Sequence, residues 1–311
     1  MNIKHIVTGK KEAVDFFHKE RPCDSHKGDY GRVYIIGGST GMTGAASLCA
    51  LAALHSGAGL VYLLAKPALV PIYEILVPEA VKITINGNQD KSMTQACFNT
   101  KDIDEIYDKI KNPSCIVLGP GLGANPETGK FVREFIKQYS FSPIKDVPII
   151  IDADAINSFE GKTKILSRYI PENAIITPHC MEASRLIGVD ADTINGNKKN
   201  YAQKIAEEVN AITVLKGHKT QIAGIVEEEM IVCENTTGNP AMATGGSGDV
   251  LAGIIAGFIA TDYKQVSLFD CVRYAVYIHG LCGDIAKNKY GSRYLTASLL
   301  IDQLKEIDFN G

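Results

Sequence analysis

Short β-branched runs alternate along the chain with longer stretches whose apolar residues recur at helical spacing. The pattern predicts strands at 33–36, 60–64, 81–85, 115–118, 148–151, 174–177 and 212–215, then a hairpin of 220–225 and 228–232 turned at Val226-Glu227. It predicts helices at 44–56, 102–111, 126–139, 181–187, 198–209, 247–260, 268–287 and 296–307. Strand and helix alternating in this way means an α/β fold, a central mostly parallel sheet covered by helices on both faces. From Val33 to Ala65 there is no Asp, Glu, Lys or Arg, long enough to span a bilayer. Gly37-Gly38-Ser39-Thr40-Gly41 and Gly57-Ala58-Gly59 cut that run into strand, small-residue helix and strand, so a buried βαβ element is expected. No linker or internal repeat interrupts 29–311, which reads as one domain; residues 1–28 read as an N-terminal helical extension.

Most of the predicted parallel strands run into something chemically specific: Gly37-Gly38-Ser39, Gly119-Pro120-Gly121-Leu122-Gly123, Asp152-Ala153-Asp154, Pro178-His179 and Lys216-Gly217-His218. Ligands of open α/β sheets sit at the carboxyl ends of strands, so these loops are expected to converge on one site. Residues 239–253, NPAMATGGSGDVLAG, are the most informative stretch. A glycine loop opening an apolar helix exposes unpaired N–H groups at the positive end of the helix dipole, which is an anion site. An acid inside it, Asp249, either caps the helix or takes a proton from a hydroxyl attacking a phosphate. On the loop alone both readings stand.

The hydrophobic share is 45% and the charged share 22%, ordinary for a globular enzyme. A net charge of −3 without Lys/Arg blocks gives no reason to expect nucleic acid or anionic membrane as a partner. The eight cysteines are scattered, with no C-x-x-C, and fit a reducing cytoplasm; the amino terminus lacks the apolar core of a signal peptide. Zinc and iron–sulfur spacings are absent, and His5, His18, His26, His55 and His279 read as packing or surface residues.

Six blocks occur in a specific order: Gly37-Gly38-Ser39 with Gly44-Ala45-Ala46; Gly119-Pro120-Gly121-Leu122-Gly123; Asp152-Ala153-Asp154-Ala155-Ile156-Asn157; Thr177-Pro178-His179-Cys180-Met181-Glu182; Lys216-Gly217-His218-Lys219-Thr220; and Gly245-Gly246-Ser247-Gly248-Asp249. In these the chain from about Gly28 onward resembles the ADP/ATP-dependent NAD(P)H-hydrate dehydratases of the ribokinase-like superfamily. The resemblance implies a three-layer α/β/α fold and a repair lyase that dehydrates (S)-NADHX or (S)-NADPHX to NADH or NADPH with ADP or ATP as phosphate donor. It implies Asp249 as the base, with the amides of Gly246, Ser247 and Gly248 as an anion hole. It places Lys216, Gly217, His218, Lys219, Thr220 and Gly248 around the nucleotide, and Ala45, Gly121, Gly123, His179 and Asp249 around the hydrated nicotinamide nucleotide. Glu182 would support Mg2+ indirectly, the ion arriving with the nucleotide. A homotetramer is implied, and the short leader suggests dehydration without the epimerase domain some members carry.

Read without the resemblance, several of these residues have plainer roles. The Lys216–Thr220 run could be a surface turn, Ala45 core packing, His179-x-x-Glu182 a helix start, and the Gly121-Leu122-Gly123 loop a tight turn capped by Asn125. Asp152 and Asp154, alternating at a strand end, should point to opposite faces, with Asp154 the one facing the site. The rival enzyme is a ribokinase-like kinase of the hydroxymethylpyrimidine or hydroxyethylthiazole type. It shares the glycine loop and the acid but not the Lys216–Thr220 run, the Gly-Leu-Gly motif or the His at 179.

Overall fold

A computed structural model describes residues 3–87 and 96–307. Ten strands form one sheet: β1 (Ile3–Val7), β2 (Arg32–Ile36), β3 (Leu60–Ala65), β4 (Val81–Thr84), β5 (Cys115–Leu118), β6 (Ile149–Ile151), β7 (Ala174–Ile176), β8 (Ile212–Leu215), β9 (Gln221–Val226) and β10 (Glu229–Glu234). Their spatial order is β1-β10-β9-β8-β7-β6-β5-β2-β3-β4. Every neighbouring pair is parallel except β8–β9 and β9–β10. Only β9 is therefore reversed, and the mostly parallel sheet expected from the sequence is present.

Alternate side chains of one strand feed two different cores. Val33 and Ile35 of β2 join one cluster, with the helices α1 (Lys10–Phe17), α2 (Thr43–His55), α11 (Ser247–Asp262), α12 (Leu268–Tyr290) and α13 (Ala297–Asp302). Tyr34 and Ile36 join the other, with α4 (Ile103–Lys109), α5 (Pro126–Tyr139), α8 (Cys180–Ile187) and α10 (Lys198–Val209). Helix, sheet and helix thus make three layers, and a strand buried on both faces reads as the continuous apolar run seen in the sequence. Helix α11 lies unusually close to α2. A Cβ on Gly253 would sit 2.3 Å from the Cys49 carbonyl oxygen, so only glycine allows that approach.

Two expectations change. The segment 1–28 is not simply helical: β1 pairs parallel with β10 as the edge strand of the sheet, and α1 follows it. Its sequence, IKHIV, is short and mostly exposed, which hides the strand pattern. Arg273 of α12 ties α1 down, donating to Glu12 and to Asp270 (Nε–Oδ1 2.6 Å). The hairpin turns one residue later than expected, at Glu227-Glu228, both at positive φ (49° and 67°) as a two-residue hairpin of this twist demands.

Candidate active site

The carboxyl ends of β2, β5, β6, β7 and β8 converge with the start of α11. At the start of α11 the chain turns through Gly246, whose φ of 89° is the left-handed region glycine favours. Gly246 is the N-cap of α11 and no side chain caps it. The cap position therefore belongs to Gly246 and not to Asp249, which sits in the first helical turn, and no hydrogen bond to its carboxylate is found among the described residues. Burial and the neighbouring carboxylate of Asp152 push its pKa up to about 7, against the opposing pull of the Lys216 ammonium. An acid half-ionised near neutral pH is the form a general base needs.

The other charged groups are engaged. Lys216 Nζ lies 2.9 Å from Asp152 Oδ1 and 3.7 Å from Glu182 Oε2. Burial alone would lower the ammonium's pKa, but the two carboxylates reverse the sign and hold it above its ordinary value. Thr177 Oγ1 donates to the same Asp152 oxygen at 2.5 Å. Glu182 accepts from the His179 amide at 2.8 Å, and the His179 ring accepts from the amides of Met181 and Glu182 at 3.2 Å, a reciprocal cap of α8. The helix-start reading of His179-x-x-Glu182 is thus correct, and the ring remains half exposed at the site's edge. Burial lowers the His179 pKa, against the opposing pull of the Glu182 carboxylate.

A cavity of about 550 Å³ opens beside Ser247 and Gly248. Lys216, Gly217, His218, Lys219, Thr220, Gly248 and His179 all line it, so every residue expected at the nucleotide meets in one place. The Lys216–Thr220 run is not a free surface turn: Lys219, at φ 55°, pairs with Glu234, and Lys198 of α10 donates to the His218 carbonyl.

The residues expected at the substrate gather beside it. A Cβ on Gly121 would lie 3.0 Å from the Ala45 Cβ and 2.5 Å from the Met42 oxygen, so the loop after β5 rests directly on the start of α2. Leu48, one turn further along α2, lies against Gly246 and joins this patch to the anion loop. Gly123 donates its amide to Asp154 Oδ2 at 2.8 Å.

Three sequence readings are corrected. Asp152 and Asp154 do not alternate across the sheet. The strand ends at Ile151, and Ala153, at φ 49° and ψ −118°, turns the chain so that both carboxylates add to the potential at Asp249. Of the three amides expected in the anion hole, Ser247's is directed back at the Thr244 oxygen, 3.4 Å away, leaving Gly246 and Gly248 as the better donors. His279 is not mere packing: it lines the cavity, with Nε2 3.0 Å from the Ser247 oxygen. Its neighbours Gly280 and Gly283, close against Thr237 and Met242, were the sequence signal that α12 abuts a loop. Among the described residues no group of three or more His, Cys, Asp and Glu side chains is placed to hold a metal ion, and no helix is long and apolar enough to cross a membrane.

The profile of the NAD(P)H-hydrate dehydratase family matches residues 33–306. The chain belongs to that family. It is 38% identical over 288 residues to the bifunctional NAD(P)H-hydrate repair enzyme Nnr of Moorella thermoacetica, covering 91% of this chain and 50% of the relative. It therefore spans about half the length of the bifunctional relatives it matches. It is 32% identical over 296 residues to the ADP-dependent (S)-NAD(P)H-hydrate dehydratase of Neisseria meningitidis serogroup B, covering 94% and 89% of the two chains. The crystal structure of the ADP/ATP-dependent NAD(P)H-hydrate dehydratase of Bacillus subtilis, co-crystallised with ATP and Mg2+, superposes with a TM-score of 0.77 at 27% identity, covering 99% of this chain and 98% of the other. The fold is ribokinase-like.

Proposed function

We propose that this chain is a nucleotide-dependent (S)-NAD(P)H-hydrate dehydratase, a lyase that restores hydrated NADH or NADPH, with ADP or ATP as phosphate donor. The observation that carries it is Asp249: a half-buried carboxylate with no hydrogen bond among the described residues, pushed up to about 7, at the head of α11 beside the cavity lined by Lys216. Family membership supplies the substrate class.

The substrate hydroxyl sits on a reduced ring, and hydroxide is a poor leaving group. Asp249 takes the hydroxyl proton as the oxygen bonds to the terminal phosphorus of the nucleotide and that phosphorus breaks its bond to the rest of the nucleotide, which leaves as AMP from ADP or as ADP from ATP. The amides of Gly246 and Gly248 and the α11 dipole stabilise the charge on the transferring group. Lys216, held by Asp152 and Glu182, adds a fixed positive charge; its Nζ lies 3.2 Å from where a Gly248 Cβ would stand. The ring nitrogen's lone pair then expels phosphate, and loss of a proton from the adjacent carbon restores the double bond. Ala45, Gly121, Gly123 and His179 would border the nicotinamide nucleotide, and the Lys216–Thr220 run the donor nucleotide.

Magnesium fits as an ion carried by the phosphates rather than caged by protein. Both Glu182 oxygens already face His179, which leaves Glu182 to reach such an ion through water. Bound there, the ion would neutralise charge on the phosphates. A cytoplasmic homotetramer completes the proposal, and light scattering of the purified chain tests the assembly.

The deciding assay mixes the chain with chemically hydrated NADH and ADP or ATP, and follows the reduced-nicotinamide absorbance. Recovery supports the proposal. Phosphorylation of a hydroxymethylpyrimidine or thiazole alcohol without recovery replaces it with the kinase reading.

A further inference from the structure

Helix α12 bonds two segments that line the cavity, Ser247 and residues 237–239. His279, at the edge of burial, brings Nε2 to 3.0 Å from the Ser247 oxygen and 3.4 Å from its hydroxyl. A carbonyl only accepts, so Nε2 carries the hydrogen. Burial lowers this imidazole to a pKa of about 4, so it stays a neutral donor at working pH. The carbonyl it grips belongs to the Ser247–Gly248 peptide. In a trans peptide C=O and N–H point opposite ways, so fixing that oxygen also aims the Gly248 N–H, one of the two good anion-hole donors. On the same helix Asp284 accepts from the Gly238 amide at 2.9 Å and from Asn239 Nδ2 at 2.8 Å, while the Tyr277 carbonyl accepts from Thr237 Oγ1 at 2.8 Å. Thr237, Gly238 and Asn239 line the same cavity.

We propose that His279 and Asp284 are positioning residues for the phosphate donor, one aiming the anion-hole peptide and the other holding the cavity lining at Gly238 and Asn239. This rests on the nucleotide-dependent reading of the site. The two roles separate kinetically. The His279 bond acts on the donor that meets developing charge and governs kcat; the Asp284 bonds shape the bound nucleotide's surroundings and govern its affinity.

The test measures ADP affinity by calorimetry and ADP-supported recovery of hydrated NADH by absorbance. His279→Leu should lose roughly tenfold to a hundredfold in kcat, with ADP affinity within about threefold of wild type. His279→Gln, whose amide can reach the same oxygen, should recover most of the loss, while His279→Asn, too short, should not. Asp284→Ala should weaken ADP binding about tenfold with kcat near wild type. Equal rates for the Gln and Asn variants overturn the His279 role, and that pair decides the matter if His279→Leu does not fold. Unchanged ADP affinity in Asp284→Ala, or parallel losses of kcat and affinity in both sets, overturns the brace. A wild-type chain that binds ADP but restores no hydrate sinks the proposed function instead, and calorimetry on Asp284→Ala still decides the brace.

Discussion

Partial burial and the nearby Asp152 carboxylate push the Asp249 pKa up to about 7, whereas in the unfolded chain it lies near 3.8. Between those values the folded state holds more protons, so this residue makes the fold less stable as pH rises through the window. Asp249→Asn should therefore melt higher than wild type at pH 8 in the absence of nucleotide, and no differently near pH 3.5, by calorimetric scanning. The same residue as base predicts that wild-type kcat/KM climbs with pH to a plateau above about 7. A flat profile between pH 5 and 8 contradicts the assignment. Ala153 carries the strained turn that brings Asp152 and Asp154 to one side. Ala153→Gly should stabilise by about 1 kcal/mol in urea unfolding, and Ala153→Val should destabilise by more than that. None of this was readable from Asp-Ala-Asp, where simple alternation put the two acids on opposite faces.

Among the elements, α11 transmits the fold to the chemistry, because its first turn holds Asp249 and its body is pressed on α2. Gly253→Ala drives a Cβ against the Cys49 carbonyl, and we expect a loss of about 1–3 kcal/mol by denaturant midpoint together with reduced turnover. A silent Gly253→Ala would mean that the close crossing does not hold the loop. The helices Pro126–Tyr139 and Lys198–Val209 have the bounds their periodicity predicts, and so do the strands Cys115–Leu118 and Ile212–Leu215. Long periodic runs and fully apolar strands carry their own signal. Harder to see were β1, whose pairing with β10 is set by distant chain, and the short helix Val70–Leu76, which carries Pro71 in its first turn and exposes Ile75. His279 was hidden for another reason: its partner is a backbone oxygen, and no spacing in sequence reports that.

At the scale of the molecule, parallel strands do the positioning. Five strand ends and one helix start deliver glycine loops, an engaged lysine and the Asp249 carboxylate to a single rim. The central claim is that this acid draws hydrogen from the substrate's alcohol while the nucleotide supplies the phosphoryl group. The most direct test is single-turnover recovery of chemically hydrated NADH with ADP or ATP, comparing wild type with Asp249→Asn at equal, calorimetrically verified nucleotide occupancy. Wild type should restore the reduced cofactor, and the variant should lose at least about a thousandfold in rate. Comparable recovery by both, at full occupancy, would contradict the central claim.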